Sequence, residues 1–321
     1  MVKSNVSIIK HIPVFLEYCE VEKGLSQVST KNYHNFLKLF TNWLKLNDLS
    51  DLKPHELSDK HIWDYRLYLS HKKDYKGTCL KKTSQSYYLR SLRALMTYFS
   101  DKDITSLPAE KIKLPKLTER DKKIKFLSYS QIEKLLEMPD INRVSGLRDR
   151  AIMETLFSTG LRVSESTSLN VKQFNLKDIE KNNENEYELS IAGKGGSVRT
   201  IYFSSRCLSW ILKYLKTRKD MLPPLFINYR KNDDERDDHR LTSRSIESIV
   251  RKYTAMAGLP IDATPHTLRH SYATDLLSHG ADLRSVQELL GHKDIGTTQI
   301  YTHVTNTQLK NIHRKFHSGS K

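Results

Sequence analysis

The chain has 321 residues, and its 53 lysines and arginines against 37 acidic residues give a formal net charge of +16. Hydrophobic residues make up 38% and aromatic residues 9% of the sequence, which is enough for packed cores and excludes wholesale disorder. At roughly 100–200 residues per domain, the length predicts two domains. No stretch approaches the ~18 uninterrupted apolar residues of a membrane span, and we expect no signal peptide at the N-terminus.

The cysteines and the charge indicate where the protein works and what it binds. Cys19, Cys79 and Cys207 are widely spaced and form neither a disulfide framework nor a zinc pattern. The sequence therefore predicts a protein of the reducing cytoplasm. The positive charge can serve solubility alone, but an excess of this size costs self-repulsion, so a polyanionic partner is favoured.

The residues up to Leu114 are predicted to form four helices that make a small helical bundle, because apolar residues recur there at helical spacing. The second helix is predicted to start from an N-cap at Ser29 or Thr30, and the third from an N-cap at Ser58. The predicted segments cover residues 8–19, 33–44, 58–69 and about 83–100.

Basic residues outnumber acidic ones in this N-terminal part by 19 to 12, a net charge of +7. A cluster lies in or just before the fourth predicted helix: Lys81, Lys82, Arg90 and Arg93. We favour a nucleic-acid contact for this cluster over a plain solvated face. Residues 115–125 then form a basic linker with little apolar periodicity, which can follow a phosphate backbone or serve as a solvated tether.

Residues 126–321 are predicted to form a second, mostly helical domain that contains one β-hairpin. Ser128 is a predicted N-cap, and Gly160 follows a helix over residues 147–158 in the usual C-terminal position. Residues 187–192 alternate between apolar and polar side chains, and residues 198–203 are rich in β-branched side chains. A glycine-rich tip lies between the two segments, so they are predicted to form the hairpin. Further helices are predicted at residues 209–215, 242–256, 266–278 and 283–290 and around Tyr301.

Two motif-like runs lack features that their usual chemistry requires. Residues 193–197 are not a phosphate-binding P-loop, because Glu188 stands where an earlier glycine is needed and a strand follows. The run is either an ordinary hairpin turn or a flexible tip that projects a lysine into a groove. His266 and His270 have the spacing of a zinc pair, but Thr267 replaces the required glutamate, so no metal site is predicted.

Five short runs, taken together and in this order, resemble the tyrosine recombinase (phage integrase) family. They are residues 159–165 (TGLRVSE), 193–195 (GKG), 266–270 (HTLRH), 289–292 (LLGH) and 298–303 (TQIYTH). The segment from His266 to Val304 is especially similar to Xer-type recombinases and related transposon integrases. Residues 24–43 resemble the helical core-binding domain of the same family.

This resemblance implies a mainly α-helical protein with a small β-sheet. A helical SAM-like core-binding domain over residues 1–114 would bind DNA. The basic linker over residues 115–125 would connect it to an α+β tyrosine recombinase catalytic domain over residues 126–321. The two domains would close around DNA as a C-shaped clamp.

The resemblance also implies a set of site residues. They are Tyr301, Arg162, Lys194, His266, Arg269 and His292, with Glu165 in support. Tyr301 would be the nucleophile that forms a 3′-phosphotyrosyl link, and Lys194 would protonate the departing 5′-oxygen. Arg162 and Arg269 would hold the non-bridging oxygens, since guanidinium groups match phosphate geometry. His266 would assist proton transfer.

His292 and Glu165 have implied roles as well. His292 would also donate to the phosphate, although it lies nine residues from Tyr301, about 180° away on one continuous helix. Gly291 and Gly296 would break that helix, so that both side chains can face one phosphate. Glu165 matches a family carboxylate that positions the site; the alternative is an acid on a helix surface.

The implied function is site-specific DNA recombination through a Holliday junction, by a homotetramer on two synapsed double-stranded sites. A second recombinase or accessory protein can take part, and the protein would be cytoplasmic and nucleoid-associated, with no membrane association. No cofactor or metal is expected, because transesterification retains the bond energy. The biological role remains open between DNA integration or excision and chromosome dimer resolution. The alternative functions are a non-catalytic DNA-binding protein and a type IB-like topoisomerase.

Overall fold

The computed structural model describes residues 1–73, 77–117, 125–175, 187–193, 198–229 and 239–291. The chain divides into two compact units, Met1–Lys123 and Ile124–Lys321. The division lies within residues 115–125, while the exact bounds of the three predicted segments stay predictions. The described part is mainly helical with a small antiparallel sheet, which confirms the predicted fold class. No helix among the described residues is long and apolar enough to cross a membrane.

The first unit contains the four predicted helices. They are α1 (Ile8–Val21), α2 (Gln27–Leu46), α3 (Asp59–His71) and α4 (Lys82–Asp101). Ser58 caps α3 as predicted. The predicted cap of α2 at Ser29 or Thr30 is wrong, because the helix begins one turn earlier. Ser26 has the extended backbone of an N-cap, and its Oγ accepts from the Ser29 N–H group.

The core of the first unit is apolar and centres on α4, which packs against α1, α2 and α3. The inward face of α4 is almost fully buried: Leu89, Leu92, Leu95, Met96 and Phe99. Each such side chain contributes ~1.5–3 kcal/mol by leaving water. On α3, in contrast, Trp63 is 63% exposed, so part of its apolar surface faces solvent.

The second unit contains seven helices and a hairpin among its described residues. They are α5 (Tyr129–Leu136), α6 (Val144–Thr159), α7 (Val163–Thr167), β1 (Tyr187–Ala192), β2 (Val198–Phe203), α8 (Ser205–Lys216), α9 (Ser243–Met256), α10 (Pro265–Ser278) and α11 (Leu283–Leu290). The predicted start of α8 at Ser209 is wrong, because Ser204 caps the helix and accepts from the Cys207 N–H group. The helix predicted around Tyr301 lies outside the described residues.

α6 is the central element of the second unit. It packs against α8, α10 and β2, and it is buried on nearly all sides. The hairpin pairs β1 with β2 in the register Tyr187 with Phe203 to Ala192 with Val198. α11 contacts both α10 and β2. These contacts bring four places together: the end of α6, one face of α10, the end of α11 and the start of β2.

Candidate active site

The C-terminus of α6 places Arg162. Gly160 ends the helix in the left-handed conformation (φ 59°), which a residue with a side chain adopts at a cost. A Cβ atom there would lie 2.5 Å from the Tyr272 ring. Glycine is therefore required both by the backbone and by the close approach of α10. Two residues later, Arg162 is the N-cap of α7.

Three polar contacts orient Arg162. Its Nη1 donates to Glu165 Oε1 at 2.9 Å, and its Nη2 donates to the Gly291 carbonyl at 3.1 Å. Its backbone N–H donates to Glu165 Oε2 at 2.8 Å, the contact that an acid at the third helical position makes with an N-cap. The side chain is 34% exposed, so part of the guanidinium is open to solvent.

Arg269 on α10 is held in the same place by two helix ends. The residue is 3% exposed. Its Nη1 donates to the Gly160 carbonyl at the end of α6, and its Nη2 donates to the Leu290 carbonyl at the end of α11 at 2.6 Å. The C-terminal carbonyls of a helix carry partial negative charge and favour a cation. Arg162 and Arg269 thus bond to adjacent carbonyls, so the two guanidinium groups converge.

His266 lies one turn before Arg269 on the same helix. Its Nε2 is 2.9 Å from Nε2 of His270. Desolvation lowers the pKa of His266 below its ordinary value of 6.5, and the positive charges of Arg269 and Arg162 lower it further. The imidazole is therefore neutral at physiological pH and can accept or relay a proton.

Glu165 is buried, so it is not an acid on a helix surface. Both of its oxygens accept from Arg199 on β2, each at 2.8 Å, in addition to the bonds from Arg162. Burial alone would raise the pKa of Glu165, but the hydrogen bonds from Arg199 and Arg162 outweigh it and lower the pKa to about 2. The carboxylate stays ionised and joins the hairpin to the first arginine of the site.

Arg199 was not among the residues that the sequence singled out. The usable signal was strand alternation: Arg199 shares a strand face with Ile201 and Phe203, which are buried. A charged residue on the inward face of a strand needs a buried partner. Nothing in the sequence alone identifies that partner as Glu165.

Three of the predicted site residues, Lys194, His292 and Tyr301, lie outside the described residues. The described chain stops at Gly193 on one side of the hairpin tip and at Gly291 after α11. The structure thus brings Arg162, Glu165, His266 and Arg269 together; the roles of all seven predicted residues stay predictions. Among the described residues, no group of three or more histidine, cysteine or acidic side chains is placed to hold a metal ion.

The basic cluster of the first unit is only partly exposed. Lys81, Lys82 and Arg90 are exposed on or beside α4. Arg93 is half-buried, and its Nε donates to the Ile112 carbonyl at 2.6 Å, which fixes the chain that follows α4. That these four residues contact DNA remains a prediction.

Both units match family models. Residues 125–308 match the phage integrase family, and residues 11–112 match the phage integrase SAM-like domain. The first match alone covers more than half of the chain. The chain belongs to the phage integrase family of tyrosine recombinases.

This tyrosine recombinase also has curated relatives of nearly the same length. It is 36% identical over 310 residues to the tyrosine recombinase XerD of Lacticaseibacillus casei, covering 94% of this chain and 97% of the relative. It is 33% identical over 311 residues to the tyrosine recombinase XerD of Haemophilus influenzae, covering 95% and 97%. The enzyme class follows: the protein is a tyrosine-type site-specific DNA recombinase. These relatives do not favour a non-catalytic DNA-binding protein or a topoisomerase.

Solved structures share the fold of this tyrosine recombinase. One is the XerH site-specific recombinase bound to a palindromic difH substrate, with a TM-score of 0.68, 22% identity, and coverage of 98% of this chain and 91% of the other. Another is the Tn1549 transposon integrase in complex with transposon right end DNA, with a TM-score of 0.70, 15% identity, and coverage of 96% and 99%. At these identities the likeness shows the fold alone.

Proposed function

We propose that this tyrosine recombinase cleaves and rejoins DNA through Tyr301. The hydroxyl oxygen of Tyr301 forms a bond to the scissile phosphorus, the bond from phosphorus to the 5′-oxygen breaks, and a 3′-phosphotyrosyl link remains. One phosphoester replaces another, so the link retains the energy needed for rejoining. The 5′-hydroxyl of the exchanged strand reverses the step and releases Tyr301.

The observation that carries this proposal is the convergence of two arginines at one helix end. Arg162 and Arg269 are anchored on the adjacent carbonyls of Gly291 and Leu290. The guanidinium group of Arg162 has five N–H donors, of which its bonds to Glu165 and Gly291 use two, and its side chain is 34% exposed. Two oriented cations favour the phosphorane-like transition state, in which negative charge grows on the non-bridging oxygens.

The other site residues would move protons and add hydrogen bonds. Lys194 would donate a proton to the departing 5′-oxygen, which is a poor leaving group as an alkoxide. His266, kept neutral by its surroundings, would assist removal of the Tyr301 proton and hydrogen-bond the phosphate. His292 would donate to a non-bridging oxygen. Glu165 would position Arg162 through the bonds described above.

Both units would contribute to DNA binding. The net charge divides as +7 up to Leu114, +3 over residues 115–126 and +6 beyond. The positive charge is therefore spread along the whole chain, as a protein that encloses a duplex requires. The first unit would act as the core-binding domain, with Lys81, Lys82, Arg90 and Arg93 in contact with phosphates.

We propose that the recombination reaction takes place in a homotetramer on two synapsed sites and proceeds through a Holliday junction. The similarity to XerD proteins over nearly the full length supports recombination at a chromosomal site, as in chromosome dimer resolution. Covalent complexes mapped on the protein's own genome should then fall at one chromosomal locus. Complexes at the ends of an integrated element would instead indicate integration and excision.

The decisive experiment compares wild-type protein with Tyr301→Phe on a nicked oligonucleotide that carries the mapped site. The wild type should accumulate a covalent protein–DNA adduct, and Tyr301→Phe should form none while still shifting the DNA in a gel. An adduct with the phenylalanine variant would contradict the assignment of the nucleophile. Plasmid relaxation without recombinant products would favour the topoisomerase alternative.

A further inference from the structure

We propose that Arg199 is a positioning residue for strand cleavage, which shares Glu165 with Arg162 and so keeps Arg162 available to the scissile phosphate. Arg199 lies on β2, five residues after Lys194 in the sequence. The inference rests on the proposed function, since it concerns the arginine that would hold the phosphate. It assigns a role to a residue that is not one of the predicted site residues.

Glu165 accepts four hydrogen bonds from two residues. Arg199 forks onto both oxygens, with Nη1 and Nη2 each at 2.8 Å. Arg162 contributes its Nη1 and its backbone N–H, at 2.9 and 2.8 Å. The side chain of Arg199 is only 10% exposed, so this pair forms away from bulk water and its geometry is fixed.

At the end of α11, three consecutive carbonyls bond to three different arginines. The Leu289 carbonyl accepts from Arg199 Nε at 3.2 Å. The next two carbonyls, of Leu290 and Gly291, accept from Arg269 and Arg162. A Cβ atom on Gly291 would lie 2.8 Å from Cδ of Arg199, so the arginine side chain covers this glycine. Arg199 therefore fixes the same helix end that orients both arginines of the site.

The net charge around Glu165 also depends on Arg199. Glu165 carries one negative charge and is shared by two guanidinium groups, so the trio of Arg162, Arg199 and Glu165 has a net charge of +1. Without Arg199, the buried carboxylate has Arg162 as its neighbouring cation, and the remaining pair is neutral. A neutral pair attracts a phosphate less than a cation does. Loss of Arg199 should therefore weaken the contact of Arg162 with the scissile phosphate, although Arg162 and the phosphate are themselves unchanged.

The same unit offers a matched control. Buried Glu154 on α6 is also held by two arginines, Arg150 on its own helix and Arg206 on α8. Arg206 also pairs with a buried glutamate, but it bonds to Glu154 through Nε and to Glu133 through Nη1, away from the site, and its side chain is 35% exposed. Removing Arg206 therefore takes a cation from a buried glutamate without touching Arg162.

The experiment measures covalent adduct formation at saturating DNA by full-length wild type, Arg199→Met, Arg206→Met and the double variant Arg199→Met/Glu165→Gln. Methionine keeps an apolar stem and removes the charge. Arg199→Met should slow cleavage by about 10–100-fold, the size expected when a positioned group is misaligned. Arg206→Met should stay near the wild-type rate at a temperature where both variants are folded. The double variant should be faster than Arg199→Met, because glutamine keeps a carbonyl oxygen that can accept from Arg162 but has no charge to neutralise it.

If Arg199→Met and Arg206→Met cleave at equal rates, and each loses activity only as far as its thermal stability falls, Arg199 has a merely structural role. That result would overturn the inference. A double variant as slow as Arg199→Met would overturn it as well, because the shared charge would then not matter. The wild-type adduct at Tyr301 is measured first. Its absence would contradict the proposed function, whereas a normal adduct rate in Arg199→Met would contradict only the role of Arg199.

Discussion

The two units of this recombinase bury different kinds of side chain. Among the described residues, the polar side chains buried in the first unit are those of Ser7, Ser86 and Ser91. The second unit buries charged ones as well: Arg148, Asp149, Arg150, Glu154, Glu165 and Arg269. Burying a charge costs free energy unless the charge is paired. The first unit is thus an apolar scaffold that keeps its charge outside, and the second holds charges inside.

Within the second unit, two buried glutamates show that similar pairing can shift a carboxyl pKa in opposite directions. Burial raises the pKa of Glu154 by more than Arg206 and Arg150 lower it. At Glu165, burial acts in the same direction, but bonds from Arg199 and Arg162 prevail and bring the pKa to about 2. A backbone N–H donor at Glu165 adds to its two arginines. Glu165 is therefore an anion at every physiological pH, and its single charge is shared between Arg162 and Arg199.

The largest expected effect distinguishes a role in DNA cleavage from a role in DNA binding. Lys194→Ala should slow cleavage of ordinary DNA by on the order of 10²–10⁴-fold, because the 5′-oxygen then leaves without a proton donor. A substrate with sulfur in the 5′-bridging position should restore most of the rate, because a thiolate leaves without a proton. Adduct formation on both substrates measures this. Binding to the ordinary substrate should be nearly unchanged, and a lack of sulfur rescue would contradict the assignment of Lys194 as the acid.

A second comparison uses two glycines with the same φ of 59°, one in each unit. Gly160→Ala should lower the free energy of unfolding by ~2–5 kcal/mol, since it adds a clash with the Tyr272 ring to the backbone strain. Gly24→Ala meets nothing within 4 Å and should cost only ~1–2 kcal/mol. Denaturant unfolding measures both. Equal decreases in the free energy of unfolding would mean that α10 moves to make room for the added Cβ atom, so that the end of α6 is not rigidly held.

A third prediction concerns pH. Because the pKa of His266 is lowered, its neutral form persists below pH 6.5, and cleavage should fall only at a more acidic pH, by up to about tenfold per unit. The groups that face this ring are His270, Arg269 and Arg162. His266→Gln should be slower and should lose this acid limb. The exposed residue His279 provides the control, and His279→Gln should leave the profile unchanged. An acid limb retained in His266→Gln would assign it to another group.

The smallest effect is expected in the first unit. Binding of the wild type should weaken steeply with salt, as phosphate contacts release counterions. Lys81→Ala, Lys82→Ala and Arg90→Ala should each reduce the slope of log affinity against log salt by about 0.9 if each residue neutralises one phosphate. Fluorescence anisotropy at several salt concentrations measures the slope. Lys38→Ala, an exposed change on α2 outside this cluster, should leave it unchanged; equal slopes for all four variants would place the DNA on another face.

Much of the helical framework follows from periodicity and caps. The apolar spacing in α4 and the serine caps of α3 and α5 predicted these helices correctly. The errors at α2 and α8 are errors of position, because each helix has one serine just before it and another within it, and either satisfies the capping pattern. Which serine has the extended backbone of a cap is decided by the packing of the helix that follows it.

The sequence by itself determined the family, the helical architecture and the identity of the residues proposed for the chemistry. These depend on residue type and spacing, which the chain displays directly. Only the tertiary structure decided that Arg162 and Arg269 share the end of α11, that Glu165 is buried, and that Arg199 is its partner. Glu165 and Arg199 are 34 residues apart, and Arg199 and Leu289 are 90 apart. No local pattern encodes such pairs, because long-range contacts form only when separate elements pack together.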